Sequence, residues 1–249
     1  MQDGSQAITA ASPTVFHVTH WKAGSQWIHK ILLACVSDRI VPPQAEMAQV
    51  LAQAIQPGGV YPTVYLTCEQ FERVALPPDS RRFVVIRDLR DTLVSLYYSL
   101  KFSHPVIAPS VTEERARLQS MNIEDGLMYV MDAWLPLCSD IQESWLAADE
   151  PLIRYEDLLE RDVAILRRVL LDECALAVDH ERFREIVLAN RFDRLTGGRP
   201  AGQENQRAHE RKGVAGDWPE HFTERVKKTF KARFGEVLVA TGYEEDLAW

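Results

Sequence analysis

Cysteine is scarce in this 249-residue chain and scattered where it occurs: Cys35, Cys68, Cys138 and Cys174 form no CxxC pair and no metal-ligand spacing. No metal is expected, and a reducing, cytoplasmic setting is the default. No apolar run approaches the about 20 residues that a membrane span needs. The opening stretch "MQDGSQAITAASP" (1–13) has neither a basic n-region nor an apolar h-region, so it reads as a flexible lead-in and not as a secretory signal. Surplus positive charge is also missing. With 28 Lys and Arg against 36 Asp and Glu, the formal net charge is −8, which argues against a nucleic-acid or anionic-membrane binder. A local basic pocket for a small anion remains compatible with that balance. No internal repeat or low-complexity tract is present.

The length suits one sizeable domain, taken as residues 1–249. "TVFHVTH" (14–20) is β-branched and aromatic, and reads as a strand. "WIHKILLACVSDRI" (27–40) has Trp27, Ile31 and Ala34 at helical spacing and stops at Pro42 and Pro43. "TVYLTC" (63–68) and "FVVI" (83–86) are short apolar runs of the kind buried in a parallel sheet. "DTLVSLYYSLKF" (91–102) follows as a helix with Asp91 as its N-cap. A long helix over 122–148, kinked at Pro136, precedes a strand at 151–155 and helices at 156–171 and 179–190. Residues 196–218 are polar and glycine-rich, a long loop of the sort that is usually functional. Alternating strands and helices predict an α/β fold with a central, mostly parallel sheet flanked by helices. Ligands of such folds sit at the carboxyl ends of the strands.

The Lys22 turn, Arg87 and the end of the 151–155 strand all fall at that edge, and three segments carry groups suited to an anion. In "HVTHWKAGSQW", Gly24 lets the backbone approach an anion, the following helix start presents N–H groups, Ser25 and Gln26 add donors, and Lys22 supplies a charge with no acidic neighbour in the turn. The turn is P-loop-like but not a Walker A loop, because the lysine precedes the glycine; that argues against an ordinary ATP or GTP site. In "IRDLRDTLVSLYY", Arg87 closes a strand and Ser95 lies eight residues on, an arginine fork and a hydroxyl that suit a phosphate monoester. Arg90 reads as one arm of a solvated salt bridge with a neighbouring aspartate. In "RKGVAGDW", Arg211, Lys212 and Gly213 offer two charges and an unhindered N–H.

Together these segments resemble the cytosolic-type sulfotransferase family, which uses 3′-phosphoadenosine 5′-phosphosulfate. The resemblance rests on Lys22 to Trp27, on Arg87 to Tyr98, on "RYEDL" at Arg154 to Leu158 and on Arg211 to Trp218, four segments in the family's order across nearly the whole chain. It implies that Lys22, Gly24, Ser25 and Gln26 hold the 5′-phosphosulfate. Arg87, Ser95, Arg211, Lys212 and Gly213 would hold the 3′-phosphate, Trp27 and Tyr155 would contact the adenine, and 196–217 would cover the cofactor. The product would be 3′,5′-adenosine bisphosphate and the acceptor a hydroxyl or amine of a small molecule.

The match fails at the general base. The family's Lys-[Ser/Thr]-His is replaced by Leu66-Thr67-Cys68, and a thiol with a reference pKa near ~8.5 is a poor base. His104, Glu69 with a desolvated carboxyl, and His20 are the substitutes, in that order, while no motif places His209 or the other histidines at the chemistry. The family's short dimer motif, which would begin at Pro219, is matched only by Thr223, so that dimer is expected to be absent. Val60, Tyr61, Phe102, Val106 and Ile107 suggest a hydrophobic or phenolic acceptor. Two other functions fit parts of the pattern: a non-catalytic binder of 3′,5′-adenosine bisphosphate, and a small-molecule kinase.

Overall fold

The computed structural model describes residues 12–43, 49–106 and 109–249; the expected flexibility of 1–13 falls almost wholly outside them, as does Ile107. In chain order the elements are β1 (Thr14–Thr19), α1 (Ser25–Cys35), α2 (Gln49–Ala52), β2 (Val60–Val64), α3 (Cys68–Glu72), β3 (Ser80–Ile86) and α4 (Leu89–Tyr98). They continue with α5 (Pro109–Gln119), α6 (Ile123–Ala133), α7 (Leu135–Ala147), β4 (Leu152–Arg154), α8 (Tyr155–Leu166), α9 (His180–Ala189), α10 (Phe192–Leu195) and α11 (Glu224–Ala240). The four strands are all parallel, in the order β2-β1-β3-β4. Every residue of β1 is buried, as a central strand covered on both faces requires. Val15 of β1 and Phe83 and Val85 of β3 join a core with Ile28 and Ile31 of α1, Leu158 of α8 and Phe183 of α9. Phe16 and Val18 face the other way, onto Phe71 of α3 and Ile141 and Trp145 of α7. A third core lies where α4, α6, α7 and α11 meet.

The expected strand at 63–68 starts earlier and stops sooner. Val60 pairs with Val15, and Pro62 is tolerated because β2 is an edge strand. Thr67 then leaves the sheet and caps α3: its hydroxyl accepts the Gln70 N–H at 3.3 Å while the Gln70 side chain accepts the Thr67 N–H at 3.0 Å, a reciprocal capping box. Val60 and Tyr61 are buried in the core, with Tyr61 stacked on Phe16 at 4.9 Å, so neither lines an acceptor pocket.

The expected helix at 122–148 is two helices broken at Trp134 (φ −125°, ψ −31°), with Pro136 in the first turn of the second, where a missing N–H costs nothing. The helix after β3 is capped by Asp88, whose carboxylate accepts the Arg90 N–H at 2.8 Å, and not by Asp91. It ends in a π-helical turn, Ser99–Ser103, in which the His104 N–H reaches back to the Ser99 carbonyl at 2.7 Å. The helix α11 was not foreseen in the sequence. Its Val226, Phe230, Phe234, Val237 and Leu238 are all buried.

Candidate active site

The carboxyl ends of β1 and β3 and the start of α8 meet in one place. The β1–α1 turn has Lys22 in the left-handed region at φ 66° and Gly24 at φ 87°. A Cβ on Gly24 would meet the Tyr155 ring at 2.9 and 3.0 Å, so both the backbone angle and the ring demand glycine. No side chain caps α1, and its first turn holds no acidic residue. Its leading N–H groups are therefore free for an anion. Among the described residues the Lys22 ammonium has no ion pair or hydrogen bond. Burial, with Arg87 next, lowers its pKa to about 8. The Ser25 hydroxyl pairs with the Tyr65 hydroxyl at 3.0 Å. Gln26 is exposed at the edge of the turn.

Arg87 is buried and lies across the same turn. Its guanidinium donates to the Lys22 carbonyl at 2.9 Å, and its Cζ sits 4.7 Å above the Tyr155 ring. Its Nε is buried with no partner among the described residues, as is the Nε1 of Trp27, whose ring meets Tyr155 edge-on at 6.1 Å. Such orphaned donors are what a bound anion and a polar ring system would satisfy. Ser95 is half-buried on α4, with no hydrogen bond to its hydroxyl among the described residues. Arg90 is not solvated: it is 4 % exposed, bonded to Asp88 and Glu244, and held between the rings of Trp218 (4.3 Å) and Trp249 (4.6 Å).

The third segment arrives through Asp91. Its carboxylate accepts the backbone N–H groups of Gly216 (2.7 Å), Asp217 (2.9 Å) and Trp218 (3.0 Å), pinning the end of the long loop to the first turn of α4. The charges of Arg211 and Lys212 are already paired, Arg211 with Asp217 and Glu204, Lys212 with Asp217 and with Glu220 at 2.8 Å. Burial alone would raise the Asp217 pKa; hydrogen bonds from His221, Lys212 and Arg211 outweigh it and hold the carboxyl well below its usual range. Gly213 has φ 67°, and a Cβ there would strike the Phe192 ring at 2.4 Å. Phe192 is thus an aromatic wall beside this loop that no motif had marked.

The three substitutes for the base differ sharply in setting. His20 is fully buried. Its Nδ1 donates to the Trp21 carbonyl at 2.9 Å, while its Nε2 accepts from the Arg87 N–H (3.2 Å) and the Gln142 amide (2.8 Å). Both nitrogens are committed, and burial lowers the pKa to about 4, so this ring is a structural strut. Glu69 is exposed in the first turn of α3, and its pKa is lowered by backbone and Thr67 hydrogen bonds, the opposite of the desolvation a carboxylate base requires. His104 is half-buried just beyond the π-turn, and burial, then Lys22 and Arg115, lower its pKa. His209 is exposed, within the electrostatic reach of Lys22 and His104.

Gln142 went unmarked in the sequence. Fully buried on α7, its amide nitrogen donates to the Arg87 carbonyl at 2.7 Å as well as to His20.

A family model described as Sulfotransferase domain matches residues 64–242. The rat and mouse sulfotransferase 2B1 proteins are 24% and 25% identical to the chain, over 90% of it and 70% and 71% of their own length. Among solved structures, mouse sulfotransferase SULT7A1 complexed with PAP superposes with a TM-score of 0.66 at 17% identity, covering 94% of this chain and 87% of that one. Retinol dehydratase in complex with androsterone and inactive cofactor PAP gives 0.58 at 14% identity, covering 90% and 80%. The folds agree, and with the family model spanning most of the sequence, this chain belongs to the sulfotransferase family.

Proposed function

We propose that the protein transfers a sulfuryl group from 3′-phosphoadenosine 5′-phosphosulfate to a hydroxyl or amine of a small-molecule acceptor. The observation that carries it is the β1–α1 turn: among the described residues, a lysine with no partner, an uncapped helix start and a buried arginine with an orphaned Nε share one strand edge. When bound, the cofactor supplies an activated sulfuryl group whose bond to the 5′-phosphate breaks as the acceptor's oxygen or nitrogen bonds to sulfur, leaving 3′,5′-adenosine bisphosphate (PAP). Lys22, the N–H groups of α1 and Ser25 would hold the phosphosulfate and neutralise charge on the departing phosphate, with Gln26 at the rim. Arg87, Ser95 and the Gly213 N–H would hold the 3′-phosphate, and Arg211 and Lys212 would exchange part of their pairing with Asp217, Glu204 and Glu220 for it. Trp27 and Tyr155, with Phe192, offer aromatic contacts to the adenine.

His104 takes the acceptor's proton. Its depressed pKa keeps the ring neutral at pH 7, and it follows the π-turn next to Phe102, whose ring lies 6.3 Å from Tyr98. No helix among the described residues is long and apolar enough to cross a membrane, and the four cysteines are unpaired, which suits a cytoplasmic setting. We further infer one domain over 1–249, with 196–217 as the cofactor-covering loop. The protein would not dimerise through residues 219–228, where Thr223 serves instead as the N-cap of α11; light scattering that placed a dimer there would refute this.

Thermal stabilisation by 3′,5′-adenosine bisphosphate, set against ATP and AMP, tests the assignment. Selective stabilisation that disappears in Arg87→Ala is expected; no preference for the 3′-phosphate would refute it. The Leu66-Thr67-Cys68 substitution favours a second reading, a binder of the same nucleotide without catalysis, which predicts tight binding and no transfer in a single-turnover assay.

A further inference from the structure

We infer that the Tyr65 hydroxyl is a hydrogen-bond donor to the transferable sulfuryl group itself, and so a catalytic residue of this chain. The inference rests on the cofactor assignment made above and adds to it a residue that no motif marks.

The first support is a count of protons. Ser25 and Tyr65 share one hydrogen bond at 3.0 Å, and among the described residues neither hydroxyl has another partner. Whichever one donates, the other's proton is left without an acceptor. The Lys22 ammonium and the leading N–H groups of α1 likewise face no acidic side chain in the turn. The corner is rich in donors and poor in acceptors, and an oxyanion with several oxygens completes it.

The second is topology. In the order β2-β1-β3-β4, the β1 turn lies between two flanks. Arg87 leaves β3 and Tyr155 follows β4, so the groups suited to the 3′-phosphate and the ring system lie on one flank. Tyr65 leaves β2 on the opposite flank. A phosphosulfate lying across the turn, with its nucleoside toward β3 and β4, directs its sulfuryl end toward Tyr65.

The third is rigidity. The Leu66 carbonyl accepts Trp145 Nε1–H at 2.9 Å, the Cys68 N–H donates to Ser144 Oγ at 3.0 Å, and Thr67 between them is locked by its capping box with Gln70. The Tyr65 ring meets Trp21 edge-on at 6.2 Å, and Trp21 packs on Trp134 at 5.3 Å. The phenol is pre-placed, which is how a donor contributes without reorganising during reaction. Burial pushes its pKa up to about 12, so the hydroxyl keeps its proton at working pH and donates; no proton transfer is asked of it.

Calorimetric titration of the full chain with 3′-phosphoadenosine 5′-phosphosulfate and with 3′,5′-adenosine bisphosphate, for wild type and Tyr65→Phe, tests this without an acceptor. We expect Tyr65→Phe to weaken the sulfated nucleotide roughly tenfold, the scale of one hydrogen bond to a charged group. The desulfo nucleotide should bind within about twofold of wild type, which also reports that the variant is folded. Equal weakening of both nucleotides, or of neither, overturns the role of Tyr65 while leaving the cofactor assignment standing. A wild type that binds neither nucleotide overturns both.

Discussion

Asp91 accepts the backbone N–H of Asp217 at 2.9 Å across 126 residues of sequence, and the same carboxylate takes the N–H groups on either side of it. The anchor that fixes the Arg211–Gly213 loop over the site is thus a side chain of α4, the helix that begins just after Arg87. An aspartate has acceptors on both oxygens; an asparagine has one and presents an NH2 in place of the other. In Asp91→Asn that NH2 faces the Gly216 N–H, a donor against a donor. The expected cost is about 1–3 kcal/mol, or several degrees of melting temperature, with roughly tenfold weaker binding of 3′,5′-adenosine bisphosphate. Unchanged affinity would mean that the loop does not carry the 3′-phosphate site.

The proposed role of Lys22 gives the nucleotide affinity a pH dependence with a definite sign. Its pKa in the free protein is lowered to about 8. A bound phosphate favours the charged ammonium, so binding above pH 8 must take up a proton. Affinity is therefore full below about pH 8 and falls as pH rises above it, by up to tenfold per pH unit. The ligand's own phosphates are fully ionised in that range and do not contribute. Isothermal titration between pH 7 and 9.5 should show this rise in Kd for wild type and a flat, weaker profile for Lys22→Met. A parallel rise in the variant would assign the titration to another group.

Much of the geometry of this candidate site was legible because its signals are local. The buried β1 pattern, the Lys22–Gly24 turn and Arg87 at the end of β3 each declare themselves within a few residues. The same holds for α9, whose Asp179 cap and apolar spacing mark it directly. The Thr67–Gln70 capping box was also present in the sequence, but the apolar run before it resembled a longer strand. In α11 the buried Val226, Phe230 and Phe234 recur at intervals of four, a helical signal overlaid by the charges between them. Asp91 and Gln142 had no local signal for the roles they play. One looks like a helix cap and the other like a surface amide, and only contacts 55 to 127 residues away give them their roles. Likewise, nothing in "RKGVAGDW" announces that Arg211 and Lys212 are already paired to Asp217.

At Gly24 two independent penalties coincide. The φ of 87° disfavours any Cβ, and the Tyr155 ring occupies the space a Cβ would need. Gly24→Ala should lose about 1–3 kcal/mol of stability from backbone strain and displacement of the ring. Because that ring also lies beneath Arg87, nucleotide affinity should fall in the same variant. Chemical denaturation and nucleotide titration together check this. Wild-type stability in Gly24→Ala would show that the turn can adopt another conformation.

Acid sensitivity follows from two buried imidazoles. His17 donates from Nδ1 to the Pro62 carbonyl at 2.7 Å and stacks on Phe83 at 4.8 Å; His20 is the strut between Trp21, Arg87 and Gln142. Burial lowers both pKa values from 6.5 to about 4. Both groups are neutral when folded, so the unfolded chain binds more protons between those values. Their contribution to stability is complete above pH 6.5 and is lost as pH falls toward 4, by up to about 3 kcal/mol for each. Proton uptake on unfolding at pH 5.5, measured by calorimetry in buffers of different ionisation enthalpy, should drop by about 0.9 proton in His20→Asn. No drop would mean that His20 titrates normally in the folded protein.

Gln142 reaches the candidate site through Arg87 and His20. Its amide holds the Arg87 carbonyl at 2.7 Å and the His20 ring at 2.8 Å, while the His20 ring accepts the Arg87 N–H at 3.2 Å, so backbone donor and acceptor of one residue are clamped from α7. Gln142→Leu keeps the volume and removes the clamp, leaving a buried carbonyl unpaired at about 1–3 kcal/mol. A purely structural loss would lower stability and weaken all nucleotides alike. A positioning role predicts something narrower: the ratio of affinities for 3′,5′-adenosine bisphosphate and AMP should fall by roughly tenfold, because the group proposed for Arg87, the 3′-phosphate, is absent from AMP. Competition titration of the two nucleotides against Gln142→Leu measures that ratio directly. A ratio equal to wild type would make Gln142 a core residue and nothing more.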